Sequence, residues 1–327
     1  MDASDMSQMS SATPFLDGVS VVESGGLENL GLAELLDISR DPCIDLYYKH
    51  FHRFHPCVLP RRCLEKKLQD TTNQASLRPL IAVMRYVGSL YCQSDQADRL
   101  RGNANSIGVK TGRDLQDPFM VQYHLINSVA QYWCGEAAQS REEMDRAISL
   151  AMDLKMHRQE FAVTYGQGDS VLQESWRRTW WQIYVVDAYY AAMKNATTFP
   201  TYDVDVTTEL PCEEYEYESG VPHNDNLNSQ AIPEPKTLDD FDSREFSAES
   251  HVYSSFSYLI GAVRGVSSAI STCHLDMLNG FSPPVLETVD AVIDGWMLLL
   301  PKSKRQILSK NGEFDEIMFQ ANMAIHA

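Results

Sequence analysis

Apolar residues recur at helical spacing over most of this chain. Leu80, Val83, Met84 and Val87 fall on one face of a helix, and later segments repeat the spacing. These amphipathic segments cover 77–92, 119–133, 144–156, 252–270 and 285–300. Runs of alternating Val and Ile, which would indicate strands, are few. The pattern therefore predicts an all-α protein.

Two consecutive amphipathic segments predict how the helices pack. Segments 119–133 and 144–156 are joined by a short polar stretch at 135–141. Helices with such a short connection fold back on one another as an antiparallel pair. Because the alternation of helix and turn continues along the chain, we predict a multi-helix array of antiparallel helix pairs.

The beginning of the chain does not share the helical pattern. Residues 1–26 are rich in Ser, Asp and Gly, which predicts a mobile tail. Asp41 can then cap a helix that Pro42 opens. We therefore predict a flexible N-terminal segment over 1–40 and a helical domain over 41–327. Because the last turn carries no helix stop, we expect the domain to be truncated at its C-terminus.

A long stretch, about 198–246, interrupts the helical pattern. It runs from Phe199-Pro200 through Leu210-Pro211 into an acidic region rich in Asn and Pro, and it contains no helical stripe. Irregular segments of this length inside a domain are usually functional or disordered. We predict one long irregular acidic loop at this place.

The balance of charge disfavours direct binding to nucleic acid. The chain carries 45 acidic and 27 basic residues, a formal net charge of −18. A protein that binds a polyanion normally presents a basic face, because displaced counterions supply much of the affinity. Here basic residues occur only in small groups, such as Arg61-Arg62 and Lys66-Lys67. We expect the chain to reach DNA only through another domain or a partner.

The cysteines and the apolar runs exclude further classes of protein. Seven cysteines are scattered without any Cys-x-x-Cys pair, which predicts neither a disulfide framework nor a structural zinc site. We interpret them as reduced thiols of an intracellular protein. No signal peptide opens the chain. The longest apolar run near the C-terminus, 296–300, is too short to span a bilayer, so no membrane contact is predicted.

The most informative stretch is Glu174-Ser-Trp-Arg-Arg-Thr-Trp-Trp-Gln-Ile-Tyr-Val-Val-Asp-Ala-Tyr-Tyr. Trp176, Trp180 and Asp187 lie at helical intervals on one face, and Glu174 can pair with the two arginines one turn later. The stretch contains no nucleophile beside a base. We interpret it as a structural helix and predict no catalytic residue in the chain.

This stretch resembles the central signature of the fungal-specific transcription factor domain. That domain is the regulatory middle region of zinc-binuclear-cluster, xylanolytic-activator-like transcription factors. The matching signature residues are Trp176, Arg177, Arg178, Trp180, Trp181, Tyr184 and Asp187. Segments 47–56, 147–158 and 199–211 resemble other parts of the family in the correct order. In the second segment, Lys155 and Met156 stand where Gly and Leu are usual.

The resemblance implies a function in transcription. It implies a regulatory domain that controls transcription by RNA polymerase II in the nucleus, through contacts with other transcription factors or the transcription machinery. It also implies a small-molecule effector, and the aromatic helix would place Trp180, Tyr184 and Tyr189 along an effector pocket. The family's six-cysteine cluster, with its zinc and its DNA contacts, is not found before Cys43. We therefore expect no cofactor and no metal in this chain.

Two other classes of function stay open. One is a non-DNA-binding decoy that pairs with a full-length factor and silences it. The other is an all-α enzyme of the terpene-cyclase type, because Asp239, Asp240 and Asp242 resemble an aspartate-rich motif that holds Mg²⁺. Ser243 stands where that motif usually has an acid, and a solvated helix cap is the simpler interpretation.

Two short motifs suggest ligand sites but lack the required pattern. His50, His52, His55 and Cys57 do not have the i, i+4 spacing that metal ligands on a helix prefer, so we interpret them as helix-end packing. Residues 166–169 resemble a phosphate loop without its Lys-Ser/Thr ending. We predict a turn between two helices there.

Overall fold

Helices build the part of the chain that the structure describes. The computed structural model describes residues 37–92, 96–111, 116–219, 232–244, 252–277, 283–308 and 312–326, all within one unit that spans Leu36–Ala327. Over these residues no strand is found, only an isolated antiparallel bridge between Leu308 and Phe314. The all-α prediction is confirmed. Residues 1–36 of the predicted N-terminal segment lie outside the described part.

The five predicted amphipathic segments each correspond to a helix. The helices are α1 Pro42–Leu46, α2 Arg61–Gln69, α3 Thr71–Ser89, α4 Ala97–Thr111, α5 Pro118–Trp133, α6 Ala137–Asp153, α7 Gln159–Gly166, α8 Ser170–Met193, α9 Glu214–Ser219, α10 Leu238–Asp242, α11 Ser255–Met277, α12 Pro283–Leu298 and α13 Glu316–His326. A π-helical turn, Tyr47–Phe51, extends α1, and a 3-10 turn spans Lys302–Lys304. The predicted segments match α3, α5, α6, α11 and α12.

Aspartate side chains set the start of several helices. Asp41 accepts a hydrogen bond from the backbone N–H of Cys43 at 2.9 Å, and Pro42 supplies the first helical residue, as predicted. Asp117 and Asp169 cap α5 and α8 in the same way. These carboxylates satisfy backbone donors that the first turn of a helix leaves free.

Helix α3 is longer than its apolar stripe predicts. Asp70 accepts a hydrogen bond from the backbone N–H of Thr72 at 3.0 Å, so the helix starts at Thr71 and continues through Pro79. Its first turns were not predicted because residues 71–75 are polar or small and mostly solvent-facing. The rest of α3 is buried against α1, α2, α4 and α5.

Helices α5 and α6 form the predicted hairpin. Gly135, in the connection, has a φ of +80°, a left-handed conformation that glycine adopts without strain. Ser128 of α5 donates a hydrogen bond to the backbone oxygen of Ser140 of α6 at 2.8 Å. The hydroxyl of Tyr190 lies 3.0 Å from both serine hydroxyls. This buried network links the hairpin to α8.

Helix α8 lies at the centre of the described fold. Its 24 residues, Ser170–Met193, are buried along almost their whole length. It contacts α5, α6, α7 and α11. A helix enclosed on all sides must satisfy its polar side chains inside the protein. Helix α8 carries Glu174, Arg178 and Asp187 in buried positions, so these three residues need partners from neighbouring segments.

The described part of the segment over 198–246 is mostly irregular but not throughout. Its described part contains the short helices α9 and α10, while 220–231 and 245–246 lie outside the described residues. Each of these helices buries a single residue, Tyr217 in α9 and Phe241 in α10. One buried aromatic residue per helix leaves no periodic stripe in the sequence.

Candidate functional site

The aromatic residues of the signature fill the core around α8. Trp176 lies against Phe119 and Phe161, with ring centroids 4.9 and 6.2 Å away. Trp180 is fully buried, and its ring lies 5.5 Å from the ring of His157. These contacts attach α8 to α5, to α7 and to the connection that follows α6.

After α8 the chain turns back and runs along the helix. Asp187 accepts two hydrogen bonds from Thr201, one from its backbone N–H at 3.1 Å and one from its hydroxyl at 3.0 Å. Trp181 Nε1 donates to the backbone oxygen of Glu209 at 2.9 Å. Because Trp181 precedes Asp187 while Glu209 follows Thr201, the returning segment 199–212 is antiparallel to α8. Signature residues therefore bind the segment that follows the signature.

Arg178 and Glu174 form a buried ion pair where three segments meet. Arg178 Nε donates to Glu174 Oε1 at 2.9 Å. The terminal guanidinium nitrogens donate to the backbone oxygens of Pro56 at 3.2 Å and Cys212 at 2.9 Å, and the Cys212 N–H donates to Glu174 Oε1 at 2.9 Å. Burial lowers the pKa of Arg178, but Glu214 and Glu174 outweigh it and raise that pKa well above its usual value.

A histidine and two glutamates from distant parts of the chain meet beside Arg178. Helix α9 places Glu214 and Glu218 one turn apart, and His52 follows the π-helical turn directly. His52 Nε2 lies 3.3 Å from Glu214 Oε1. One ligand atom of each of the three residues lies within 4.8 Å of the other two. We call His52, Glu214 and Glu218 the His52 cluster.

Contacts with Arg178 fix the position of α9. The guanidinium lies 4.1 Å from the centroid of the Tyr217 ring, a distance suited to a cation–π contact. The Tyr217 hydroxyl donates to the backbone oxygen of Val58 at 3.2 Å, and Arg178 Nη1 binds Glu214 Oε2. As a result, α9 holds Glu214 beside both Arg178 and His52.

The charges in the cluster shift two carboxyl pKa values in opposite directions. Burial raises the pKa of Glu214, but Arg178 and His52 outweigh burial and lower it to about 2. For Glu218, partial desolvation by nearby protein atoms and the neighbouring Glu214 raise the pKa, against the opposite effects of His52 and Arg178. Two neighbouring carboxyl groups with one firmly charged member attract a cation or a hydrogen-bond donor.

The His52 cluster and Arg178 line an open cavity of about 900 Å³, which we call the Arg178 cavity. The acidic lining residues are Glu213, Glu214, Glu218, Glu313, Asp315 and Glu316, and the basic ones are Arg53, Arg178 and Lys302. The apolar wall is formed by Tyr48, Phe256, Leu308, Phe314 and Ile317. A cavity of this size can enclose a small organic molecule.

The family comparison covers all of these segments up to Met277. The model of the fungal specific transcription factor domain matches residues 44–277. The chain belongs to this family. It is 32% identical over 325 residues to the C6 finger domain transcription factor iacK of Pestalotiopsis fici, in an alignment that covers 97% of this chain and 46% of that relative. The chain thus spans less than half the length of this relative. No solved structure matches the chain.

The fungal transcription factor domain is a non-enzymatic regulator of transcription, which contradicts the terpene-cyclase alternative. The aspartates of that alternative have structural contacts. Asp240 accepts hydrogen bonds from the backbone N–H and hydroxyl of Thr237, at 2.9 and 2.8 Å, which caps α10. Asp242 binds Arg264 at 3.0 Å, and Asp239 is exposed. The helix-cap interpretation is therefore confirmed for Asp240.

The three aromatic residues predicted to line an effector pocket lie within or against the core. Trp180 is fully buried, and Tyr184 contacts the ring of Phe199 at 5.5 Å. Tyr189 is half-buried against the core, where burial raises the pKa of its hydroxyl. Arg178 is the signature residue found among the described residues that line the Arg178 cavity, and the three aromatic residues are not found there. The pocket assignment of the three aromatic residues stays a prediction.

The histidines and the cysteine near position 52 have separate surroundings. The ring of His50 stacks on Tyr91, with centroids 5.0 Å apart. Burial lowers the pKa of His55 to about 3 and raises the pKa of Cys57 to about 12. His52 alone of the four joins the two glutamates of α9. The sequence could not predict this grouping, since the partners of His52 come from a segment without any helical stripe.

The glycine-containing motif at 166–169 is the predicted turn. Gln167 and Gly168 have φ values of +50° and +81°, which reverse the chain after α7. Asp169 then caps α8.

The described helices were also compared with the length and hydropathy that a membrane span requires, and none of them meets both.

Proposed function

We propose that this chain is the regulatory domain of a fungal transcription factor and that a small-molecule effector binds in the Arg178 cavity. The position of Arg178 carries the proposal: this buried signature residue joins three segments and also lines the open cavity. A ligand at this place would contact α8, the start of α9, and residues within 302–308 and 313–317 together. An effector that binds one packing of these segments more tightly than another shifts their populations.

The lining favours an effector that carries a positive charge and an apolar group. Acidic side chains outnumber basic ones around the cavity, and Tyr48, Phe256 and Phe314 offer an apolar wall. Complementary charge favours an amine or another cationic group over an anion. We therefore propose an aromatic or alkyl amine as the class of effector.

The regulatory signal reaches transcription through protein contacts. We propose that other transcription factors or the transcription machinery bind this domain in the nucleus. Contact with DNA, and the zinc that accompanies it, would belong to another part of the protein or to a partner. Two facts support this division: the net charge of −18 disfavours binding to a polyanion, and the chain covers only 46% of a relative named for its finger domain.

Calorimetric titration and thermal shift with a panel of fungal amines test the effector. Ser303 is an exposed lining residue, so Ser303→Trp fills part of the cavity without removing a core contact. Ser106→Trp adds the same side chain to an exposed position on α4. We expect an amine to bind the wild-type chain and the Ser106→Trp variant, and to bind Ser303→Trp at least about tenfold more weakly. Equal binding to both variants, or no binding by any amine, would contradict the proposed effector.

A further inference from the structure

We infer that His52, Glu214 and Glu218 bind a divalent metal ion at the edge of the Arg178 cavity. One ligand atom from each residue lies within 4.8 Å of the other two. Nitrogen and oxygen ligands lie about 2.0–2.2 Å from zinc, which places the ligand atoms about 3.4 Å apart in a tetrahedral site. The three side chains therefore reach coordinating positions through small rotations.

The buried imidazole of His52 is the observation that points to a ligand. Only 4% of His52 is exposed, and neither ring nitrogen makes a hydrogen bond of good geometry. Its Nε2 faces Glu214 Oε1 at 3.3 Å. A buried polar group without a hydrogen bond is unfavourable, and a metal ion between this nitrogen and the carboxylates would satisfy it.

The two carboxylates are already oriented for a shared ion. Glu214 and Glu218 have the i, i+4 spacing on α9, so they project from one face of the helix. Arg178 Nη1 binds Glu214 Oε2, which leaves Oε1, the oxygen nearer to His52, for the metal. An outer partner that binds one oxygen and directs the other is a common feature of metal sites.

The charges around the His52 cluster favour a bound cation. Arg178 pairs with Glu214, but it also pairs with Glu174 at 2.9 Å, so its positive charge is shared between two carboxylates. Arg62 is a further positive group near Glu218. Two glutamates with one shared arginine retain negative charge, which a divalent ion would neutralise.

The donor set selects a class of metal. One imidazole and two carboxylates suit a first-row transition ion such as Zn²⁺ or Mn²⁺, whereas Mg²⁺ and Ca²⁺ prefer oxygen ligands alone. Three protein ligands leave a coordination position directed to the cavity, as in open metal sites. Metal binding at the His52 cluster does not depend on the proposed effector.

Calorimetric titration of the 327-residue chain with ZnCl₂, after treatment with EDTA, tests the site. We expect one equivalent to bind, and His52→Gln and Glu218→Gln each to weaken binding at least about tenfold. Glu216→Gln is the matched control, because Glu216 lies on the same short helix outside the cluster, and its affinity should stay within about twofold. Thermal melts of the apo variants establish that each one is folded; Glu218 is exposed, so its variant removes no core contact.

Cobalt substitution separates the proposed site from the scattered cysteines. A Co²⁺ complex of His52 and two carboxylates should give weak visible bands that Glu218→Gln alters. Intense near-ultraviolet thiolate bands would instead place the ion on cysteine and overturn the proposal. Absence of zinc binding, or equal affinity in wild type and the two cluster variants, would also overturn it. Because no amine is present, the outcome is independent of the proposed effector.

Discussion

Arg178 both joins segments of the core and lines the candidate site. Its guanidinium is 1% exposed and binds Glu174, Glu214 and the backbone oxygens of Pro56 and Cys212. Loss of one partner of a buried ion pair leaves an uncompensated charge inside the protein. The five donors of arginine satisfy partners on several segments, which the single ammonium group of lysine cannot do.

Removal of the Arg178 side chain should destabilise the domain strongly. We expect Arg178→Ala to lower the free energy of unfolding by about 3–5 kcal/mol, because Glu174 stays buried with only its longer ion pair to Arg177, whose Nε lies 3.6 Å from Glu174 Oε2. Urea denaturation monitored by circular dichroism measures this change. Arg146→Ala is the control: Arg146 is 55% exposed, and its pairs with Glu142 and Glu143 are worth about 0–1 kcal/mol. A loss below about 1 kcal/mol for Arg178→Ala would contradict the account of this pair.

The partly buried His55 should make the stability depend on pH. Burial lowers the pKa of His55 to about 3 in the folded chain, whereas an unfolded histidine has a pKa of about 6.5. Between pH 6.5 and pH 5 the unfolded state therefore binds a proton that the folded state does not. The free energy of unfolding should fall as the pH falls, by up to about 1.4 kcal/mol per pH unit.

His55→Gln should flatten this pH dependence. The glutamine can keep the contact with Gln182, whose Nε2 lies 3.1 Å from His55 Nδ1, but it cannot take up the proton. Urea midpoints at pH 5, 6 and 7 measure the slope. His326→Gln changes an exposed histidine at the end of α13 and should leave the slope unchanged. Equal slopes for His55→Gln and wild type would assign the effect to other groups.

At the scale of elements, length and periodicity decide what the sequence could predict. Helices such as α5 and α6 carry a long apolar stripe that is visible in the sequence, and their hairpin was predicted correctly. The short helix α9 buries only Tyr217 and depends on Arg178, a residue far away in the chain, for its position. Such an element cannot be inferred from local periodicity, because tertiary contacts and not its own pattern stabilise it.

The returning segment 199–212 should depend on Asp187. Asp187 is fully buried and receives hydrogen bonds from Thr201 and from Arg141 at 3.0 Å. We expect Asp187→Ala to lower stability by about 3 kcal/mol and to increase hydrogen exchange in 199–212 more than in α5. Hydrogen exchange with mass spectrometry measures both segments.

Asp145→Ala provides the matched control for this prediction. Asp145 binds the same arginine, Arg141, at 2.8 Å, but its side chain is 58% exposed. The variant should change stability by less than about 1 kcal/mol and leave exchange in the returning segment as it is. Equal exchange in wild type and Asp187→Ala would mean that other contacts hold the segment.

At the scale of the whole molecule, the candidate site depends on contacts between residues that are far apart in the sequence. The sequence predicted the pairing of Glu174 with the arginines one turn later, because that pairing follows from helical spacing. It could not predict that Pro56, Cys212 and Glu214 reach the same arginine. The neighbours of His52 in the cluster, Glu214 and Glu218, come from α9 and not from its own segment.

The organisation of the molecule agrees with its family. Residues 44–277 match the fungal specific transcription factor domain. Pro56, at the end of one segment that carried the resemblance, binds Arg178, and Cys212, directly after another, binds Glu174. The strongly acidic composition disfavours binding of this chain to nucleic acid, which is consistent with the proposed regulation through protein contacts.

A reporter assay tests the central claim, regulation of transcription through the Arg178 cavity, most directly. The chain is fused to a heterologous DNA-binding domain in a fungal host, and reporter output is compared with that of the DNA-binding domain alone. We expect the chain to change the output at least about fivefold, Ser303→Trp to alter this effect, and Ser106→Trp to preserve it. An output equal to that of the DNA-binding domain alone, or unaltered by Ser303→Trp, with equal amounts of each fusion in the nucleus, would contradict the account.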